Sequence, residues 1–434
     1  MLEQAQEAVQ QGNWSLLNRY LQQVLLSEET EQLFQTLGVE QLLSMALTVL
    51  EFGDFQDRWE IAKLVPVFGE VAIAPLRNLL QDDEVELEIR WFAARILGEY
   101  NHPVAIQALI EVLKSCQEED LRAAAAEALA NLGTPAIAAL TDLLVAQETR
   151  LFAVRCLAQV RHSKTIEPLL GVVHDSDPAI RALAIEALGS FHNLQVPPTL
   201  VEALTDPVAA VRIAAIEGLG VRSDLAVDLA LVNRLSSCLW DLNQRVCQQA
   251  AIALGRLGTD AAAQALFQVL QSPHTPLALE LEVVRTLGWM GTAIALNYLQ
   301  QVLSLSEKRE LNPIVVQEMV TLLGRWQDPE LKPDAAQILM DMLNSTQPAV
   351  SQPAVQQSIA LGLGYLQQPQ AFECLTQLLA NDDIGVRLHA IAALKMLDHE
   401  LTYQRLELLA TQTDLPKALR QGVAIALQEW TTES

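Results

Sequence analysis

The stretch Ile180-Arg181-Ala182-Leu183-Ala184-Ile185-Glu186-Ala187-Leu188-Gly189 returns in kind as Val211-Arg212-Ile213-Ala214-Ala215-Ile216-Glu217-Gly218-Leu219-Gly220. Each copy reads apolar, Arg, two variable positions, two small or apolar positions, one variable, one small, Leu, Gly. Laid along the chain, the frame puts its Arg position at Arg90, Arg122, Arg150, Arg181, Arg212, Cys247, Glu280, Val316, Gln356, Arg387 and Arg420. A weaker copy surrounds Trp59 to Gly69. The spacings run from 28 to 40 residues, the length of one helix pair. A repeated helix pair buries its apolar face only against its neighbours, so the sequence implies a stack rather than a globule.

Working outward, each unit carries an earlier helix. PVAIQALIEVLKS (103–115), TPAIAALTDLLV (134–145) and DAAAQALFQVLQ (260–271) place apolar residues at i, i+3, i+4 and i+7. Short acidic turns such as His174 to Pro178 and Thr205 to Pro207 lead into the second helix, where Asp can cap and Pro fits the first turn. Gly98, Gly189 and Gly258 near second-helix ends are expected to let the chain leave in a left-handed conformation. The framework Arg lies four residues after an acid at Glu86/Arg90, Glu118/Arg122, Asp177/Arg181 and Asp383/Arg387. That spacing predicts ion pairs on one helix face, stacked as a ladder.

Residues 1–58 lack the motif but still read as helices, for example Val39 to Phe52 with Leu42, Leu43, Ala46, Val49 and Leu50 apolar. They are expected to be a helical N-terminal cap on an array over 59–434. Longer connections are expected at Leu305 to Pro313 and at Ser345 to Pro353.

The composition agrees with a stack. Of 434 residues, 51% are apolar and only 5% aromatic, which suits helices that approach closely through Ala and Leu. The charge is −25, from 53 acids against 28 bases, which argues against nucleic acid and anionic membranes as partners. The start, MLEQAQEAVQQGNWSLLNRYL, lacks the basic end and apolar run of a signal peptide. No apolar stretch reaches the roughly 18 residues that span a bilayer. Five cysteines without a CxxC argue against a disulfide framework, and a cytoplasmic location is expected.

Val-Arg-x-x-Ala-Ala-x-Ala-Leu-Gly, carried at Ile180–Gly189, Val211–Gly220 and Val386–Lys395, resembles the HEAT repeat. More narrowly it resembles the short HEAT-like repeats named after phycobilisome lyases, and the glutamine-rich, acidic style looks like cyanobacterial members. The resemblance covers roughly residues 59–430. It implies an all-α, right-handed α-solenoid (superhelix) of about 11 to 12 hairpins that grips proteins along a concave surface. Some members attach or detach bilin chromophores at cysteines of phycobiliproteins; many others are scaffolds or assembly factors. No lyase-specific catalytic residue carries over to this chain.

Motifs for chemistry are not found. His102, His162, His174, His192, His274, His389 and His399 form no metal-ligand spacing, and neither GxSxG nor GxxxxGK[ST] occurs. Cys238 and Cys247 read as small buried apolar residues. The acid run Asp82 to Glu88 lacks the spacing of a calcium loop. The expectation is therefore no cofactor, no metal and no catalytic residue.

The second-helix surface does change along the chain. Five residues beyond the framework position stand Arg95, Glu127, Arg155, Glu186 and Glu217, then Ile252, Arg285, Thr321, Leu361, Ala392 and Ile425. Nine beyond stand Glu99, Asn131, Gln159, Ser190 and Val221, then Arg256, Trp289, Arg325, Tyr365, Met396 and Glu429. A polar face thus becomes apolar, aromatic and Arg-bearing, the composition of interface cores. Two readings fit: a partner groove built from Ile252, Arg256, Trp289, Arg325, Leu361, Tyr365 and Met396, or packing against the next repeat. The expected function is a non-catalytic scaffold or assembly factor that binds proteins, in photosynthetic or phycobilisome-related complexes. The alternative is a bilin lyase or lyase subunit.

Overall fold

Helices follow one another along the whole of this computed structural model, and no strand occurs among the described residues. The structure describes residues 2–27, 34, 38–305, 311–345, 347–412 and 414–431. Contacts gather the chain into two units, Met1–Ala215 and Ile216–Ser434, and the division falls inside the helix Ala209–Gly220.

In the N-terminal unit, hairpin follows hairpin. Pro103–Ser115 begins where the sequence predicts, with Pro in its first turn and His102 Nδ1 accepting from the Val104 N–H at 3.2 Å. It buries Ala105, Leu109, Val112 and Leu113 against Glu119–Leu132, which returns Leu121, Ala125, Ala128 and Leu129. Each fully buried Leu contributes about 2 kcal/mol by removal from water. The 134–145 segment is shorter than expected: a 3-10 turn at Thr134–Ala136 leads into Ile137–Asp142. Val39–Phe52 is helical and buries Leu42, Leu43, Ala46, Val49 and Leu50. Trp14–Leu25 is tied to Phe55–Ala62 by polar contacts: Asn18 Nδ2 donates to Asp57 Oδ1 at 3.3 Å and Ser15 Oγ donates to Asp57 Oδ2 at 2.8 Å.

The C-terminal unit repeats the scheme. Its second helices are Gln244–Leu257, Leu277–Met290, Pro313–Leu323, Pro353–Leu366 and Ile384–Met396, each packed on the next. Asn243, Asn312 and Asp383 cap three of them through their side chains. Asp260–Gln271 matches the sequence reading, with Thr259 as its cap. The connection expected at Leu305 to Pro313 lies mostly outside the described residues; the helix before it ends at Leu305 and the next begins at Pro313. Between Leu343 and Pro353 the described residues form a turn rather than a helix.

The glycines divide into two kinds. Gly258 has φ 65° and ends its helix in the left-handed region, as expected. Gly98 does not: its φ is −63°, and a Cβ there would stand 2.8 Å from the Ala128 Cβ. Gly189 lies within its helix, buried. Gly98 therefore serves close helix approach, and neither glycine makes a left-handed exit.

Candidate protein-binding surface

The framework Arg was expected to pair with the acid four residues earlier, and the structure corrects this. That acid sits at the helix N-cap, and at Asp177 and Asp383 its carboxylate turns to backbone N–H groups, while Glu86 pairs with Arg58 instead. Asp177 accepts from Ala179 N–H at 2.8 Å, and Asp383 from Val386 N–H at 2.9 Å. The Arg instead reaches back to carbonyls in or just before the turn that leads into its own helix. Arg181 and Arg387 donate to the carbonyls of Asp175 and Asn381 at 2.8 and 2.7 Å. Arg90 reaches the Leu80 carbonyl at 3.0 Å. Even Cys247, standing in the Arg position, donates its thiol to the Asp241 carbonyl at 3.2 Å.

A second set of bonds joins neighbouring repeats. Arg150 pairs with Asp175 at 2.6 Å, and Arg181 grips Asp206 with two bonds of 2.8 and 3.0 Å. The Asp206 carbonyl accepts in turn from Arg212 at 2.7 Å. Arg58 acts alike, donating to the Glu51 carbonyl at 2.9 Å and pairing with Glu86 and Glu88 of the following hairpin. Arg122 departs from the pattern and lies over the Phe152 ring at 3.8 Å. Burial pushes the Asp175 and Asp206 carboxyls up. Backbone N–H groups and the Arg partners outweigh it and hold both below the usual carboxylate range. The Asp206 contact likewise raises Arg181. The ladder is thus structural, and binding has to be sought elsewhere.

The positions five and nine beyond the framework face outward. In the N-terminal unit Arg95, Glu127, Arg155 and Glu186 are exposed, and so are Glu99, Asn131, Gln159 and Ser190. In the C-terminal unit Arg256, Trp289, Arg325 and Tyr365 are exposed, Trp289 at 69% and Tyr365 at 54%. Ile252, Leu361 and Met396 are half-buried. The seven side chains fall on five consecutive second-helix segments, so Ile252 and Met396 stand at opposite ends of the row. Neighbours do meet. Trp289 lies across Gly255, with ring carbon Cε3 3.8 Å from where a Cβ would be. Arg325 and Tyr365 share a hollow. The Met396 sulfur lies beside Gly364, 3.0 Å from where its Cβ would be.

One exposed feature was not read from the sequence. In the N-terminal unit Trp14 stacks on Phe52 at 5.5 Å, and Phe55 lies 6.2 Å from Trp59. The Arg95 guanidinium covers Trp59 at 4.2 Å. Phe52 and Phe55 remain more than half exposed. The pair Phe55 and Trp59, one helical turn apart, was the available signal.

Reactive groups are muted. Cys156, Cys238 and Cys247 are buried, and burial pushes the Cys156 thiol up to about 12. Burial also raises Cys247 and Cys374, so these three thiols stay protonated near neutral pH. His102 and His162 spend Nδ1 on backbone N–H groups. Among the described residues no group of three or more His, Cys, Asp or Glu is placed to hold a metal. Nor is any single helix there long and apolar enough to cross a membrane.

Comparison with solved structures gives the same architecture. Importin beta aligns at TM-score 0.52 and 12% identity, over 90% of this chain and 61% of that one. Kap95p, in a structure with RanGDP, aligns at 0.53 and 14%, over 99% and 63%. A chain of the AP-3 complex aligns at 0.50 and 12%, over 99% and 93%. This chain spans less than two thirds of importin beta or Kap95p, and identities this low establish fold alone. No curated protein matches the sequence. The family model described as HEAT repeats matches residues 47–130, 73–148, 137–220, 229–311 and 351–428. With well over half of its length matched and helical hairpins throughout, this chain belongs to the HEAT-repeat family and is an all-α solenoid.

Proposed function

We propose that this chain is a non-catalytic protein-binding scaffold. Its partner lies on the second-helix face of the C-terminal unit, along Ile252, Arg256, Trp289, Arg325, Leu361, Tyr365 and Met396. The observation that carries this is the exposure of Trp289 and Tyr365, large rings left in water on a face whose N-terminal counterparts are Glu, Asn, Gln and Ser. The likeness to Kap95p, which is described as binding RanGDP, supports a protein rather than a small molecule as partner. Residues 1–58 serve as the cap of the array.

Replacing both rings, Trp289→Ala with Tyr365→Ala, weakens partner capture by about a thousandfold, since central aromatic anchors contribute about 2 kcal/mol each. Both side chains are exposed, so the melting temperature should hold. Undiminished capture by the folded double variant rejects the face. The finer proposal, a client in photosynthetic or phycobilisome-related complexes, is supported by the motif resemblance. Incubation with bilin and apo-phycobiliprotein separates it from the lyase alternative: covalent colour transfer makes the chain an enzyme, and binding without transfer keeps it a scaffold.

A further inference from the structure

The loop after Pro313–Leu323, with Lys332 and Tyr365 of the next two helices, borders an open hollow of about 270 Å³, lined by Gly324, Arg325, Trp326, Gln327, Lys332 and Tyr365. Two cations line it and no acid does, in a chain whose acids outnumber its bases 53 to 28. Among the described residues neither Arg325 nor Lys332 has a carboxylate partner, whereas Arg58, Arg150 and Arg181 all do. Trp326 lines the same hollow. It is 96% buried, at 4% exposure, and its indole Nε1 has no hydrogen-bond partner. A buried donor left unpaired is unfavourable, and proteins rarely keep one. Two cations without a carboxylate beside one hollow make a receptor for an anion.

We propose that this hollow receives an Asp or Glu side chain of an acidic polypeptide segment whose apolar neighbours lie on Trp289, Leu361 and Met396. The inference rests on the protein-binding reading and names the partner's chemistry. Tyr365 belongs to both the hollow and the apolar row, so the occupant carries a negative group and apolar side chains together. The planar guanidinium of Arg325 matches a carboxylate with two parallel bonds, as Arg181 already does with Asp206. The acidic remainder of the surface repels such a segment, so this one positive hollow fixes where and in which register it lands.

The test uses the full chain labelled with ¹⁵N-tryptophan. The probe is an acetylated, amidated heptapeptide alternating Glu with Leu or Phe. The Trp326 indole resonance, identified by its loss in Trp326→Phe, is expected to shift and saturate as the hollow beside it fills. Arg325→Glu or Lys332→Glu, both at accessible positions, should weaken binding at least about tenfold. A peptide with Gln in place of Glu should bind about tenfold more weakly, and one with Lys should not bind. An unmoved Trp326 resonance, equal binding of the Gln or Lys peptide, or charge reversal without effect overturns the proposal. So does inorganic phosphate reproducing the shift at lower concentration than the peptide, because the hollow would then take a free anion. The two readings fail separately. If Trp289→Ala with Tyr365→Ala abolishes partner capture while Arg325→Glu is silent, the face stands and the acidic segment falls. If the double variant captures normally, the face falls whatever the peptide does.

Discussion

The N-terminal unit is laced by charge, whereas in the C-terminal unit the framework Arg is lost from Cys247 to Gln356, before it returns at Arg387. Arg150 and Arg181 spend their donors on turn carbonyls and on the next repeat's Asp, and Arg212 donates to the Asp206 carbonyl, giving a run Arg150–Asp175–Arg181–Asp206–Arg212. In the C-terminal unit that position passes to Cys247, Glu280, Val316 and Gln356. There the second helices meet through glycine. A Cβ on Gly324 would stand 2.5 Å from the Gly362 Cα, and one on Gly364 would stand 2.9 Å from the Ala393 Cα. The contrast teaches that one repeat frame can be joined in two ways. Where the framework Arg is lost, the outer positions carry Trp289, Arg325 and Tyr365.

The comparison can be broken most forcefully at Asp206. Its side chain and that of Arg181 are both 12% exposed, so Asp206→Ala strands a nearly buried guanidinium at a cost of about 3 kcal/mol. Hydrogen exchange should quicken in the helices Pro178–Gly189 and Ala209–Gly220; a loss under about 1 kcal/mol would mean that charge is not what joins these repeats. Next comes Gly324→Ala, which drives a methyl into Gly362 and should cost about 2 kcal/mol by overpacking. An unchanged urea midpoint for that variant would show that the glycine contact can relax.

Acid sharpens the same contrast. Asp175 and Asp206 titrate below the ordinary carboxylate value of about 3.9 when folded. A depressed folded value means that the unfolded chain takes up protons first. Their contribution is therefore complete above about pH 5, and it drains away as pH falls through the folded values. The stability gap between the native chain and Asp206→Asn should narrow steadily below about pH 4, and a gap independent of pH contradicts the ion-pair account. The smallest effect is expected at Arg285, whose pair with Glu318 at 2.8 Å leaves Arg285 54% exposed. Arg285→Ala should cost less than about 1 kcal/mol, and high salt should erase the difference.

Much of the fold was legible in the sequence. The helices at 103–115 and 260–271 follow from a 3.6-residue apolar period that burial alone enforces. The same period placed positions five and nine beyond the framework on the outside; most are exposed there, while Ile252, Thr321, Leu361, Ala392 and Met396 are half-buried. What failed was partner choice. Glu or Asp four residues before Arg is compatible with an i,i+4 pair and with an N-cap, and only the backbone at Asp177 and Asp383 decides for the cap. Gly98 was misread for a similar reason: a glycine near a helix end can turn left or admit a neighbour, and Ala128 lies 30 residues away in sequence. The hollow at Arg325 was half visible. Arg325 and Tyr365 were in the outer series, but Lys332 and the unpaired Trp326 join them only through the turn into the next hairpin. The aromatic group of Trp14, Phe52, Phe55 and Trp59 escaped because two hairpins assemble it.

Site-specific photocrosslinking tests most directly whether recognition sits on the C-terminal unit's outer row. A photoreactive phenylalanine is placed at Trp289 or Tyr365 and, for comparison, at the equivalent exposed positions Glu99 and Gln159. Irradiation in the native cell should yield one common partner adduct at 289 and 365 and none at 99 and 159. Equal adducts at all four positions, or adducts at 99 and 159 alone, would contradict it.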